Sequence, residues 1–213
     1  MTHVTGYRKS LDTFGKRPLM GSVLILILIM MMAFEANAGA PLAAIQTQVD
    51  KLLGVLRDPS FKALPTEKEK TEKIWPIVDG IFDYTALSQR ALSRNWRKLN
   101  KEQQEEFTKL FSKLLGSIYM SRILKYSDEK VVYTEEKMLS EDKAEVDTNI
   151  VTASKEIPIN YRLILINGEW RVYDVVIEGI SLVANYRSQF RQILADNSPQ
   201  ALLDMLKKKV NEL

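Results

Sequence analysis

The chain reads as an α+β domain in which N-terminal and C-terminal helices pack on one curved antiparallel sheet of about four strands. Three observations predict this. Apolar residues recur at helical spacing up to about residue 123, the pattern shortens to β-like runs between residues 130 and 177, and helical spacing returns from Leu182 onward. The dipeptide Asn167-Gly168 joins two of the β-like runs, and it is a strong hairpin signal because both residues tolerate the left-handed backbone of a two-residue turn. No linker or internal repeat interrupts the order helices, sheet, helices, which suits a single α+β core.

The first 38 residues are expected to lie outside that core. Residues 1–18 are basic through Arg8, Lys9, Lys16 and Arg17, and residues 19–34 are apolar except for Gly21 and Ser22. Ala36-Asn37-Ala38 then offers the small-x-small pattern that signal peptidases cut, so the expectation is a signal peptide over 1–38 and a single domain over 39–213. The alternative is an uncleaved anchor, but the apolar run is shorter than the ~20 residues that span a bilayer comfortably. With no cysteine anywhere in the chain, a lipid anchor on that residue is excluded.

Residues 41–57 place Leu42, Ile45, Val49, Leu52, Leu53 and Leu56 on one helical stripe, and Asp58-Pro59 ends it. A second helix from about Thr66 contains Pro76, whose missing N–H is expected to kink or break it. Residues 83–92 form a short third helix. Asn100 and Gln103 have capping-box spacing and open the longest helix, with the stripe Phe107, Leu110, Phe111, Leu114, Leu115 and Ile118. Strands are expected over 130–134, 144–152, 157–166 and 169–177 as an antiparallel meander. Ser181 and Ser198-Pro199 then cap two closing helices whose apolar stripes run through Leu182, Val183, Tyr186 and Phe190, and through Leu202, Leu203, Leu206 and Val210.

Composition excludes several classes of function. The 213 residues carry a net charge of +3, two units of which come from the first 38 residues, so the domain lacks the concentrated positive field of a nucleic-acid binder. The single histidine, His3, lies in the segment expected to be removed, and cysteine is absent. Imidazole or thiol nucleophile chemistry and thiolate metal sites are therefore ruled out of the mature domain, and no metal or cofactor is implied.

Asp174 and Glu178 could do acid-base work, but no second catalytic group accompanies them, and a carboxylate at a strand–helix junction commonly accepts turn N–H bonds. Gly179 and Ser181 are simplest as a turn glycine and a helix cap, because the only base available to a reactive serine is lysine. The charge run over 67–73 mixes signs and reads as a solvated helix face. The apolar stripe from Trp96 to Tyr119 suits either plain packing or the wall of a cavity, since both use the same residue types.

Two stretches carry a resemblance. One is Ile81-Phe82-Asp83-Tyr84 through Leu92 and Trp96, continuing with Glu102-Gln103, Phe107, Phe111, Leu114 and Tyr119. The more specific one is Trp170-Arg171-Val172-Tyr173-Asp174-Val175-Val176-Ile177-Glu178-Gly179-Ile180-Ser181-Leu182, followed by Asn185-Tyr186-Arg187 and Phe190. From about Ala44 onward the chain resembles the MlaC, or toluene-tolerance, family of periplasmic phospholipid carriers. The resemblance implies a nuclear-transport-factor-like fold enclosing an apolar pocket. It also implies phospholipid as ligand, with two partners: an outer-membrane lipoprotein–porin complex and an inner-membrane ABC transporter with a ring-forming substrate-binding component. The role implied is maintenance of outer-membrane lipid asymmetry.

Exposing acyl chain to water costs ~0.8 kcal/mol per CH₂, so a chain of about sixteen carbons costs on the order of 12 kcal/mol and a carrier must offer apolar cover. The expected pocket lies between the long helix and the sheet, lined by Phe111, Leu115, Ile118, Tyr119, Tyr161, Leu163, Val175 and Ile177. Trp170, Tyr173, Asp174, Glu178, Gly179 and Ser181 are assigned instead to holding the strand–helix corner. Two alternatives stay open: a small-molecule enzyme on the same fold, and a periplasmic scaffold whose groove receives a partner helix.

Overall fold

The computed structural model describes residues 39–126 and 129–212; the expected signal peptide lies outside the described residues. From Gly39 on, the chain forms one compact unit. Helix α1 spans Ala40–Arg57, followed by the short α2 over Pro59–Lys62, α3 over Glu67–Asp79, α4 over Tyr84–Leu92, a 3-10 segment over Ser93–Lys98, and α5 over Lys101–Leu124. Strands β1 (Lys130–Ser140), β2 (Lys143–Val151), β3 (Glu156–Ile166), β4 (Glu169–Ile177) and β5 (Ile180–Ser181) come next, then α6 (Leu182–Asp196) and α7 (Pro199–Asn211). The sheet is an antiparallel meander in chain order, with five strands rather than about four.

Local chemistry sets most boundaries. Asn100 and Gln103 form the reciprocal capping box that opens α5, Thr66 and Glu69 form another at α3, and the Ser181 and Ser198 hydroxyls accept from Ala184 N and Ala201 N. Asn167 and Gly168 both have positive φ, 52° and 83°, as a two-residue hairpin between twisted strands requires. The same geometry recurs at Glu178 (φ 49°) and Gly179 (φ 81°), where a second tight turn folds Ile180 back against Ile177 and makes β5.

Pro76 neither breaks nor ends α3, which continues to Asp79. The proline sits in the last turn, so it forfeits one backbone bond. Burial of Ile74 and Ile77 on either side outweighs that loss.

Three apolar clusters organise the interior. In the first, Phe107, Phe111, Leu114 and Leu115 of α5 pack against α4, α6 and α7, with Phe107 edge-on to Phe190 at 5.3 Å and Phe111 edge-on to Tyr186 at 4.9 Å. In the second, Ile45 and Val49 of α1 press on one face of the sheet at Val146, Leu163, Val172 and Val175. The third gathers Leu56, Phe61, Ile74 and Met120 around the C-terminal end of α1. Phe82 packs against both of the first two clusters, beside a short parallel bridge in which Asp83 N donates to Val172 O and Val172 N donates to Ile81 O.

Candidate functional site

Antiparallel register places the side chains of the inner sheet face in rows. One row is Ala144–Leu163–Val172, the next Val146–Tyr161–Val175, and the third Thr148–Ile159–Ile177. Leu163 has no exposed surface at all, because Ile45 and Val49 of α1 cover this face with help from Leu42 and Leu53. The opposite face is mainly polar, following period-two alternation, with Ile164 and buried Val176 among its members. There Lys137, Glu145, Arg162 and Asp174 stand in register across four strands, with Arg162 Nε donating to Glu145 Oε2 at 2.8 Å and Lys137 Nζ to Asp147 Oδ2 at 2.8 Å.

Polar groups under α1 are few. Thr148 Oγ1 donates to Ile159 O at 2.9 Å, but the buried hydroxyl of Tyr133 has no partner. Burial pushes the Tyr133 hydroxyl up to about 12, and the nearby charge of Asp50 on α1 adds to the shift. Tyr161 is likewise pushed up to about 12 by burial, with a Thr148 hydrogen bond acting against it.

The eight residues expected to line a pocket fall into two groups. Leu163, Val175, Tyr161 and Ile177 share the inner sheet face, whereas Phe111, Leu115, Ile118 and Tyr119 belong to the all-helical cluster. The long helix thus spends its stripe on other helices, and the sheet meets α1 instead. Helical spacing shows which residues share a stripe but says nothing about which element the stripe meets. Open clefts of about 500 Å³ beside α4 and α5, at Tyr84, Trp96 and Thr108, and of about 440 Å³ between α3 and α5, at Trp75 and Gly116, mark the described surface; none of the eight lines either.

At the corner, Asp174 is 3% exposed and heavily engaged. Its Oδ1 accepts from Val183 N at 3.0 Å, and its Oδ2 accepts from Ser181 Oγ at 2.7 Å and Arg162 Nη1 at 3.4 Å. Glu178 sits exposed in the turn, 3.6 Å from Lys155, so the two carboxylates do not share a site. Gly179 completes that turn. Tyr173 lies under the Arg90 guanidinium at 4.0 Å, and Trp170 packs on the inner-face cluster. Among the described residues no group of acidic or imidazole side chains is placed to hold a metal, and no helix is long and apolar enough to cross a membrane.

Sequence reasoning passed over Glu136. Its carboxylate, on edge strand β1, accepts from Gly39 N at 2.8 Å and Leu42 N at 2.7 Å and so caps α1 from across the fold. Register shifts between Tyr133 and Glu135 and between Met138 and Ser140 break the alternation that would have flagged it.

Comparison with known proteins agrees with this architecture. The phospholipid-binding protein from Ralstonia solanacearum, solved in complex with a phospholipid, superposes with a TM-score of 0.70 at 22% identity, over 80% of this chain and 96% of that one, a likeness of fold. The toluene tolerance protein Ttg2D of Pseudomonas putida is 23% identical over 80% of this chain and 82% of its own length. The intermembrane phospholipid transport system binding protein MlaC of Haemophilus influenzae is 24% identical over 81% of this chain and 83% of its own. The family model described as MlaC protein matches residues 46–208, from within α1 to the last turn of α7, and on that match the chain belongs to the MlaC family.

Proposed function

We propose that this protein is exported to the periplasm, cleaved after Ala38, and carries phospholipid between an outer-membrane lipoprotein–porin complex and an inner-membrane ABC transporter, so maintaining outer-membrane lipid asymmetry. Its family, the names of its two relatives and the phospholipid in the structural neighbour support the reading. The carrying observation is the inner sheet face: three cross-strand rows of mainly apolar side chains, shielded chiefly by the stripe of one amphipathic helix. Acyl chains laid on that face would replace α1 contacts with contacts of the same kind, at ~0.8 kcal/mol per buried CH₂. Loading then requires α1 to move outward. The unpartnered Tyr133 hydroxyl would gain an acceptor in a glycerol ester carbonyl.

On this reading Leu163, Val175, Tyr161 and Ile177 touch the ligand. Phe111, Leu115, Ile118 and Tyr119 hold the helical scaffold. Native mass spectrometry of the protein purified from the periplasm tests the assignment: a co-purifying phospholipid supports it. A lipid-free protein that takes up neither phospholipid nor fatty acid from vesicles would end it.

A further inference from the structure

We infer that cleavage between Ala38 and Gly39 makes an α-ammonium group that pairs with Glu136 and clasps α1 onto the sheet. The inference rests on the export reading above and goes beyond it. Gly39 N stands 2.8 Å from Glu136 Oε1, and Leu42 N stands 2.7 Å from Oε2 of the same carboxylate. Both N–H groups belong to the unsatisfied first turn of a helix whose N-cap residue supplies no side-chain acceptor and whose second position is proline.

The carboxylate is aimed by the sheet. Glu136 is in register with Val146, whose row continues through Tyr161 and Val175 along the inner face, the face that α1 covers. Its neighbours on the other side of β1 and β2 have a cation: Lys137 lies 2.8 Å from both Glu135 and Asp147. Among the described residues Glu136 has no lysine or arginine partner. An acidic side chain without a counter-charge therefore points at the nitrogen that follows Ala36-Asn37-Ala38, the site with small residues at both recognition positions.

The chemistry converts an amide into an ion. A peptidase recognising small side chains adds water across the Ala38 C–Gly39 N bond; the oxygen goes to the Ala38 carbonyl, which leaves as a carboxylate, and the nitrogen takes up protons to become an ammonium. A neutral N–H donor to Glu136 is thereby replaced by a charged one, the stronger class of hydrogen bond. Without Glu136 a positive charge at a helix N-terminus would oppose the helix dipole. With it, removal of the leader tightens the seat of α1. The other end of α1 is already held, because Leu56 packs with Phe61, Ile74 and Met120. The N-terminal end is therefore the end that the clasp governs, and it is the end over the inner face.

The test exports the full chain in four forms: the native junction and a junction with Ser-Gly-Ser-Gly inserted between Ala38 and Gly39, each with Glu136 or with Glu136→Gln. Mass spectrometry should show Gly39 as the first residue of the native-junction protein. Glu136→Gln should lower its thermal midpoint by about 2–4 °C and lower that of the inserted form by less than half as much. In the native-junction protein the α-amino group should titrate above its ordinary value of about 8 and return to it in Glu136→Gln. An uncleaved leader overturns the clasp together with the export reading, whereas a cut at another bond overturns the clasp and leaves export standing. Gly39 at the terminus with equal losses in both backgrounds, or an α-amino group at its ordinary value with Glu136 intact, overturns the clasp alone. No arm reads lipid, so an empty carrier leaves the test standing.

Discussion

The Ser181 hydroxyl donates to Asp174 Oδ2 at 2.7 Å while its oxygen accepts from Ala184 N at 3.0 Å, so one side chain ties the last long strand to the first turn of α6. Asp174 completes the tie by accepting from Val183 N. Replacing Asp174 with Ala strands a buried N–H and leaves Arg162 with Glu145 as its remaining carboxylate partner, and should cost about 3 kcal/mol. Urea denaturation should show this as a lower midpoint with an unchanged slope. Ser181→Ala should cost about 1 kcal/mol, the size of a lost helix cap.

Gly116 sits where α5 passes the indole of Trp75, and a Cβ added there would lie 1.9 Å from Trp75 Cζ3. Gly116→Ala must push α3 away from α5 or turn the ring, an overpacking cost of about 1–3 kcal/mol. Combining it with Trp75→Leu should return part of that loss, because the clash is removed along with the ring. A double-mutant cycle with no coupling between the two positions would show that the helices separate for another reason.

The two groups of expected lining residues behave differently if lipid lies on the sheet. Leu163→Trp, on the inner face, should lower the phospholipid-to-protein ratio measured by native mass spectrometry. Ile118→Trp, in the helical cluster, should lower stability by about 1–3 kcal/mol and leave the ratio unchanged. The reverse pattern would move the ligand to the helices.

Tyr133→Phe removes a buried hydroxyl that has no partner, so lipid-free protein should be as stable as the parent or more stable by about 1 kcal/mol. Phospholipid retention should fall if the hydroxyl donates to the ligand. Alkaline pH offers an independent reading. Tyr133 and Tyr161 are held protonated in the fold up to about 12, while the unfolded chain ionises near 10. Their contribution is fully present below pH 10 and is lost as pH rises towards 12. Tyr133→Phe should flatten that decline in a denaturation series between pH 9 and 12.

Features written by near neighbours were legible. The Asn100–Gln103 box, the Ser181 and Ser198 caps and the Asn167-Gly168 hairpin are each formed by groups within a few residues of one another, and each stands where its residue types put it. Strand order followed as well, since short connections in a meander leave adjacent pairing as the natural arrangement. Two-residue β5 was missed because Glu178 must take a positive φ that its type rarely adopts, and the turn is invisible until Ile180 is seen against Ile177. The extension of β1 beyond Thr134 was hidden by the register shift there.

Residue order alone settled that the chain is α+β, where most helices begin, that residues 39–213 hold neither imidazole nor thiol, and which family it resembles. Which helix lies on the sheet was settled by packing. Both α1 and α5 carry an apolar stripe in sequence, yet Ile45 and Val49 meet Leu163 while Phe107 and Phe111 meet Phe190. A stripe of aliphatic and aromatic side chains gains much the same free energy from any apolar face, so its partner is chosen by the geometry of the whole chain. The bond from Glu136 to Gly39, 97 positions apart, has the same origin: it exists only once β1 and α1 are brought side by side.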